Sequence, residues 1–226
     1  MLILHKLLKK STLWFVLILS SLIFILCIKY TNNISRQFYY NNLYHNICSK
    51  NDSDSLKIIK CFEYVSNKIK PPGHFIKTKG LDPVEILEKG YGSCDQQSNL
   101  LITILEKGGF PGKLLFLYDN DSLSLHSICE IKIDNRNIML DPFYGILFYN
   151  KNNMMASLSD ISSGNINAPT NSTLPENYLK LFNDKYPKKI FRTNKTKKIH
   201  QSFNKIIFYL NIIYNKIRTY FKLLNM

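Results

Sequence analysis

Acidic residues are scarce in this 226-residue chain: 16 Asp and Glu stand against 30 Lys and Arg, a formal net charge of +14. A balance so far from neutral favours anionic partners. Nucleic acid is a poor choice among them, because the chain has no Cys/His zinc-finger spacing, no RNP-like aromatic-basic motif and no basic helix-turn-helix pattern. An acidic membrane or cell-envelope polymer fits the charge better. Metal motifs are also missing. Neither CxxC nor HExxH occurs, and His45 and His74 fall on elements unrelated to His126, so no metal and no cofactor are expected. What is present, 45% hydrophobic and 20% charged residues, is the composition of a globular chain with room for one ordinary domain plus appendages.

The segment from Ser11 to Ile28, STLWFVLILSSLIFILCI, lacks charge, Pro and Gly, and at about 1.5 Å per residue it nearly matches the hydrocarbon core of a bilayer. It reads as a transmembrane helix. Lys6, Lys9 and Lys10 precede it, while Lys29 and Arg36 follow, which favours a cytoplasmic N-terminus and an extracytoplasmic domain in a single-pass cell-membrane protein. A cleaved signal peptide is the rival, weakened because no small-x-small cleavage site follows. Residues 1–35 are therefore read as a cytoplasmic stub and anchor, 36–182 as the folded domain, and 183–226 as a basic linker and amphipathic helix. Phe203, Ile206, Leu210, Ile213, Ile217, Tyr220 and Leu224 make the apolar stripe of that last helix, which could lie on an anionic membrane surface or pack on a protein.

Within the domain, Ser53 or Ser55 can cap a helix whose apolar positions run from Leu56 to Ile69 before KPPG stops it. Ser93 followed by Gln96 is a capping-box pattern that starts another helix at Cys94, ending near Lys107 at the pair Gly108-Gly109. The first residue of a helix sits beside unsatisfied backbone N–H groups and the positive end of the macrodipole, where a thiolate is favoured and an oxyanion can be held. Gly90 and Gly92 would let a substrate approach the preceding turn. Downstream, KLLFLYD, LHSICEIKID and IMLDPFYGILF read as strands, the last two joined by a turn at Asp134 to Asn137. Antiparallel pairing then returns Asp141 beside His126 to Ile128. Singly, Cys94 reads as a buried small hydrophobe, His126 as a strand-edge histidine and Asp141 as a turn residue. Together, in this order, they make a Cys-His-Asp arrangement for nucleophilic catalysis.

The stretches EILEKGYGSCDQQSNLLITILEKGGFPGKLLFLYD and HSICEIKIDNRNIMLDPFYG, spanning Pro83 to about Gly145, resemble the core of the transglutaminase-like superfamily. The resemblance implies an α+β, papain-like fold, with Cys94 as nucleophile, His126 as general acid/base and Asp141 as its orienter. It also implies acyl transfer through a thioester, by hydrolysis of a protein or peptide-like amide or by transamidation. The family commonly carries aromatic residues two positions after the histidine and shortly before the aspartate, where this chain has Ile128 and Ile138. A further oxyanion donor could be Tyr91 or a polar group upstream. The competing expectation is a catalytically silent module of the same fold that binds an anionic envelope polymer. Cys48 and Cys61 could form a disulfide outside the membrane or remain two thiols. Cys129, three positions from His126, points to the opposite face of its strand and reads as core.

Overall fold

In the computed structural model the described residues are 2–73, 82–118, 124–167, 169, 174–175, 177–183 and 188–191; side chains of 2–17, 28–30, 32–33 and 188–191 lie outside that description. The first helix, α1, runs Leu2–Ile47 without a break. Its helical backbone passes through the apolar segment, though the side chains of residues 11–17 and 28 are among those outside the described set. Among the described residues no helix is long and apolar enough to cross a membrane. Ile18, Leu19, Leu22, Ile23, Phe24, Ile25 and Leu26 are each between 43% and 66% exposed. The boundary expected at residue 35 thus falls inside a continuous helix.

The C-terminal part of α1 is docked by three kinds of contact. Arg36 pairs with Asp82 at 2.6 Å, Gln37 accepts a hydrogen bond from Lys107, and Tyr40 and Tyr44 are buried. Tyr44 lies over Gly108, where a Cβ would come within 2.2–2.4 Å of its ring. The left-handed residue expected at the Gly108-Gly109 pair is Gly109, with φ 87°, while Gly108 has φ −82°. Gly108 is there for space and Gly109 for conformation.

Helix α2, Asp54–Lys68, is capped by Ser53, whose side chain accepts from Leu56 N–H, and it buries Ile58, Cys61, Phe62 and Val65. Helix α3, Pro83–Lys89, was not anticipated, although its start carries a readable signal: Asp82 and Glu85 form a reciprocal capping box with Pro83 inside the first turn. Gly90 ends it at φ 73°. Helix α4, Cys94–Lys107, has the bounds expected from its sequence.

Strands β1 (Gly112–Tyr118), β2 (Ser124–Ile133), β3 (Arg136–Asp141), β4 (Ile146–Leu147) and β5 (Lys188–Phe191) form one antiparallel sheet in the order β4-β3-β2-β1-β5. The β2–β3 turn tightens to Asp134 and Asn135, with Asp134 at φ 50°. Strand β5 lies within the basic stretch read as a linker. Pairing on a sheet edge uses backbone N–H and C=O groups, so it needs no apolar periodicity to betray it. The rest of that C-terminal region, including the amphipathic helix, lies outside the described residues.

Alternation along the strands produces two apolar layers. Leu114, Cys129, Ile131, Ile138 and Leu140 pack with helices α1 to α4. Leu115, Leu117, Ile128 and Met139 pack with Phe148, Ala156, Tyr178 and Phe182, on the opposite face. A short helix α5, Leu158–Ser162, and a 3-10 turn, Tyr178–Phe182, close that second layer.

Candidate active site

The loop before Cys94 is held from several sides. Lys70 N–H donates to Gly90 O at 2.9 Å and Gly92 N–H donates to Lys70 O at 3.0 Å, which fixes Tyr91 between them as a bridge. Gln97, fully buried, donates from Nε2 to Gly92 O at 2.8 Å. Ser93 N–H is taken by the Gln96 side chain at 3.0 Å, while the Ser93 hydroxyl donates to Asp95 at 2.5 Å. The glycines have structural duties here: Gly90 supplies a left-handed cap, and a Cβ on Gly92 would sit 3.1 Å from Ile86 and 3.4 Å from Gln96. Close approach is needed by the protein's own side chains.

Cys94, half-buried, is carried to the strand by helix α4. One turn later Ser98 donates to Ser127 O at 3.3 Å, and Cys129 donates back to Ser98 O at 3.2 Å. Cys129 is thus core, as its strand parity requires, and it clamps the helix start to β2 next to His126.

His126 and Asp141 meet across the hairpin. Cys129 pairs with Leu140, so the same register sets Ile128 opposite Asp141. His126, two residues before Ile128, shares its face and becomes a diagonal neighbour of Asp141. His126 Nε2 lies 2.6 Å from Asp141 Oδ2, with the two side chains 5% and 0% exposed. Asp141 Oδ1 accepts from Phe143 N–H at 3.0 Å and Tyr144 N–H at 3.2 Å. Its Oδ2 also accepts a short hydrogen bond from the Tyr178 hydroxyl. Four donors therefore satisfy a fully buried carboxylate, the condition under which burying it is tolerable.

Burial would lower the His126 pKa, but hydrogen bonds and charges from Asp141 and Cys94 outweigh it and raise the imidazole from 6.5 to about 9. The ring is then protonated at neutral pH. With Nε2 committed to Asp141, Nδ1 is the nitrogen left to face the Cys94 sulfur. Burial, then the neighbouring Asp141 charge, pushes the Tyr178 hydroxyl well above its ordinary range, so it stays a proton donor.

Aromatic rings enclose the imidazole: Tyr144 at 4.9 Å, Tyr178 at 5.7 Å and Phe143 at 5.8 Å between centroids. Phe148 stacks on Tyr178 at 6.4 Å, and Phe182 meets it edge-on at 5.5 Å. Shielding that Ile128 and Ile138 cannot provide comes instead from the two residues after Asp-Pro and from the 3-10 turn. Phe143 and Tyr144 lie within the stretch HSICEIKIDNRNIMLDPFYG that carries the family resemblance. Tyr178, 37 residues from Asp141 in sequence, carried no local signal. Among the described residues no group of three or more His, Cys, Asp or Glu side chains could hold a metal ion.

Residues 41–142 match the family model described as the transglutaminase-like superfamily. No curated protein matches the chain. Two solved structures are similar: a candidate cysteine protease from Cytophaga hutchinsonii, at 12% identity and TM-score 0.42, covering 49% of this chain, and a candidate protease from Parabacteroides distasonis, at 14% identity and TM-score 0.41, covering 46%. The chain spans 39% and 23% of those two proteins' lengths, respectively.

Proposed function

We propose, on the premise of a transglutaminase-like superfamily core at residues 41–142, that this protein is a thiol acyl-transfer enzyme that hydrolyses an amide of a protein or peptide-like substrate. The observation that carries the reading is a buried imidazole held at 2.6 Å by a fully buried carboxylate and interacting with the only half-buried thiol among the described cysteines. The Cys94 sulfur stands at the first residue of α4, beside the imidazole that can hand a proton to a leaving group.

In this reaction Cys94 Sγ attacks the amide carbon, and the carbonyl oxygen takes the negative charge. By helix geometry the Cys94 and Asp95 N–H groups at the start of α4 have no carbonyl four residues earlier within the helix, and they can stabilise that oxygen. His126 gives its Nδ1 proton to the leaving nitrogen as the carbon–nitrogen bond breaks, leaving a Cys94 thioester and a neutral ring. Water then loses a proton to the same nitrogen as it attacks the thioester, and the sulfur departs. Asp141 keeps Nε2 protonated and the ring oriented throughout, and Tyr178 and the Phe143 and Tyr144 amides keep Asp141 in place.

A single-pass membrane anchor with the domain outside is part of the same proposal. The support for it is the uncharged run of residues 11–28 and the solvent-facing apolar side chains between Ile18 and Leu26. Digestion of intact vesicles with an external protease should cleave the domain, and full protection of it would reverse the orientation. For the chemistry, a thiol-directed electrophile at neutral pH should label Cys94 in the wild-type protein, and Cys94→Ala should abolish that labelling. Equal labelling of both would remove the activated thiol and the proposal with it.

A further inference from the structure

Two other cysteines stand together away from the candidate site. Cys48 follows the last turn of α1, its N–H bonded to Tyr44 O at 2.9 Å, and Cys61 lies in the middle of α2. Both are buried, at 4% and 0% exposure, and their sulfurs are 3.4 Å apart. Nothing separates them, and closing to a bond of about 2.05 Å needs roughly 1.4 Å of movement, within reach of small side-chain rotations.

We propose that Cys48 and Cys61 form a disulfide that staples the end of α1 to α2. The bond closes a short loop, 13 residues apart in sequence, around the segment that joins the apolar helix to the domain. One thiolate attacks an external disulfide, such as oxidised glutathione or a protein disulfide donor, and displaces one thiol. The second thiolate then attacks the mixed disulfide and displaces the other. Two electrons and two protons pass to the donor. Burial raises the pKa of both thiols, which suppresses exchange in the folded protein, so the bond forms as the helices come together and then resists reduction. In the cell it rests on the domain lying in an oxidising compartment, as the function reading places it.

The full chain, folded in oxidised glutathione in detergent, should yield on unreduced digestion a Cys48–Cys61 linked peptide lighter by two hydrogens than the sum of its parts. Reductant under denaturing conditions, followed by refolding with reductant present, should lower the unfolding temperature by on the order of 5–10 °C. The double variant Cys48→Ala/Cys61→Ala should show no such response. Complete alkylation of both cysteines after oxidative folding would overturn the proposal, as would an equal effect of reductant on wild type and variant. Labelling of Cys94 does not depend on this pair, so the staple and the acyl-transfer reading fail separately.

Discussion

Asp141→Asn is the substitution whose consequences can be worked furthest. Raising the imidazole from 6.5 to about 9 corresponds to about 3 kcal/mol in favour of the protonated ring, and the hydrogen bond to Asp141 supplies the largest favourable contribution to it. An asparagine can keep its oxygen on the Phe143 and Tyr144 N–H groups, which turns its NH2 toward His126 Nε2. That nitrogen must then accept, so the neutral ring carries its proton on Nδ1, facing the sulfur, where it can no longer take one. Loss of both charge and tautomer should slow alkylation of Cys94 at pH 7 by on the order of 10³-fold, while overall structure measured by circular dichroism stays intact. The same pair sets a pH dependence of stability. Because the folded pKa is raised, its stabilisation is complete below pH 6.5 and is lost as pH rises toward about 9. The difference in unfolding free energy between wild type and Asp141→Asn should therefore shrink across that window. Two identical pH profiles, or a difference that grows with pH, would refute the reasoning.

Three further outcomes follow from the packing. Tyr178→Phe keeps the ring contacts with Phe148 and Phe182 but removes one donor to a buried carboxylate, so chemical denaturation should show a loss of about 1.5–3 kcal/mol, with Cys94 labelling slowed but not abolished. Gly108→Ala puts a methyl group against the Tyr44 ring, and it should cost roughly 1–3 kcal/mol by the same measurement; the companion Gly108→Ala/Tyr44→Leu should recover part of that loss. Arg36→Ala removes an ion pair whose arginine is 57% exposed, and it should change stability by less than about 1 kcal/mol.

Much of this protein is written in short-range signals. Ser53, Asp82 and Ser93 mark helix starts through side chains that bond to backbone within three residues, and Asp134-Asn135 marks a hairpin that by register alone brings Asp141 onto the His126 face. Cys94, His126 and Asp141 were legible because each sits at such a junction and because strand parity is a rule of two. Gly92 and Gly108 are less legible for the opposite reason: a glycine reports only that a Cβ is missing, and that Ile86 or Tyr44 lies in that space depends on distant chain. Strand β5 adds through backbone groups that every residue carries, so its basic sequence concealed it.

By itself, then, the sequence determined where most helices begin, which strand face each side chain takes, and the order of Cys94, His126 and Asp141 along the chain, since all of these are decided by neighbours a few positions away. Only the tertiary structure decided that the Tyr178 hydroxyl would reach the Asp141 carboxylate, that aromatic rings from two separate turns would enclose the imidazole, and that the sulfurs of Cys48, just past α1, and Cys61, on α2, would touch. Those contacts join segments whose separation along the chain carries no energetic preference until the apolar layers on both faces of the sheet have closed, and burial is what makes the resulting hydrogen bonds and charges strong enough to set the chemistry.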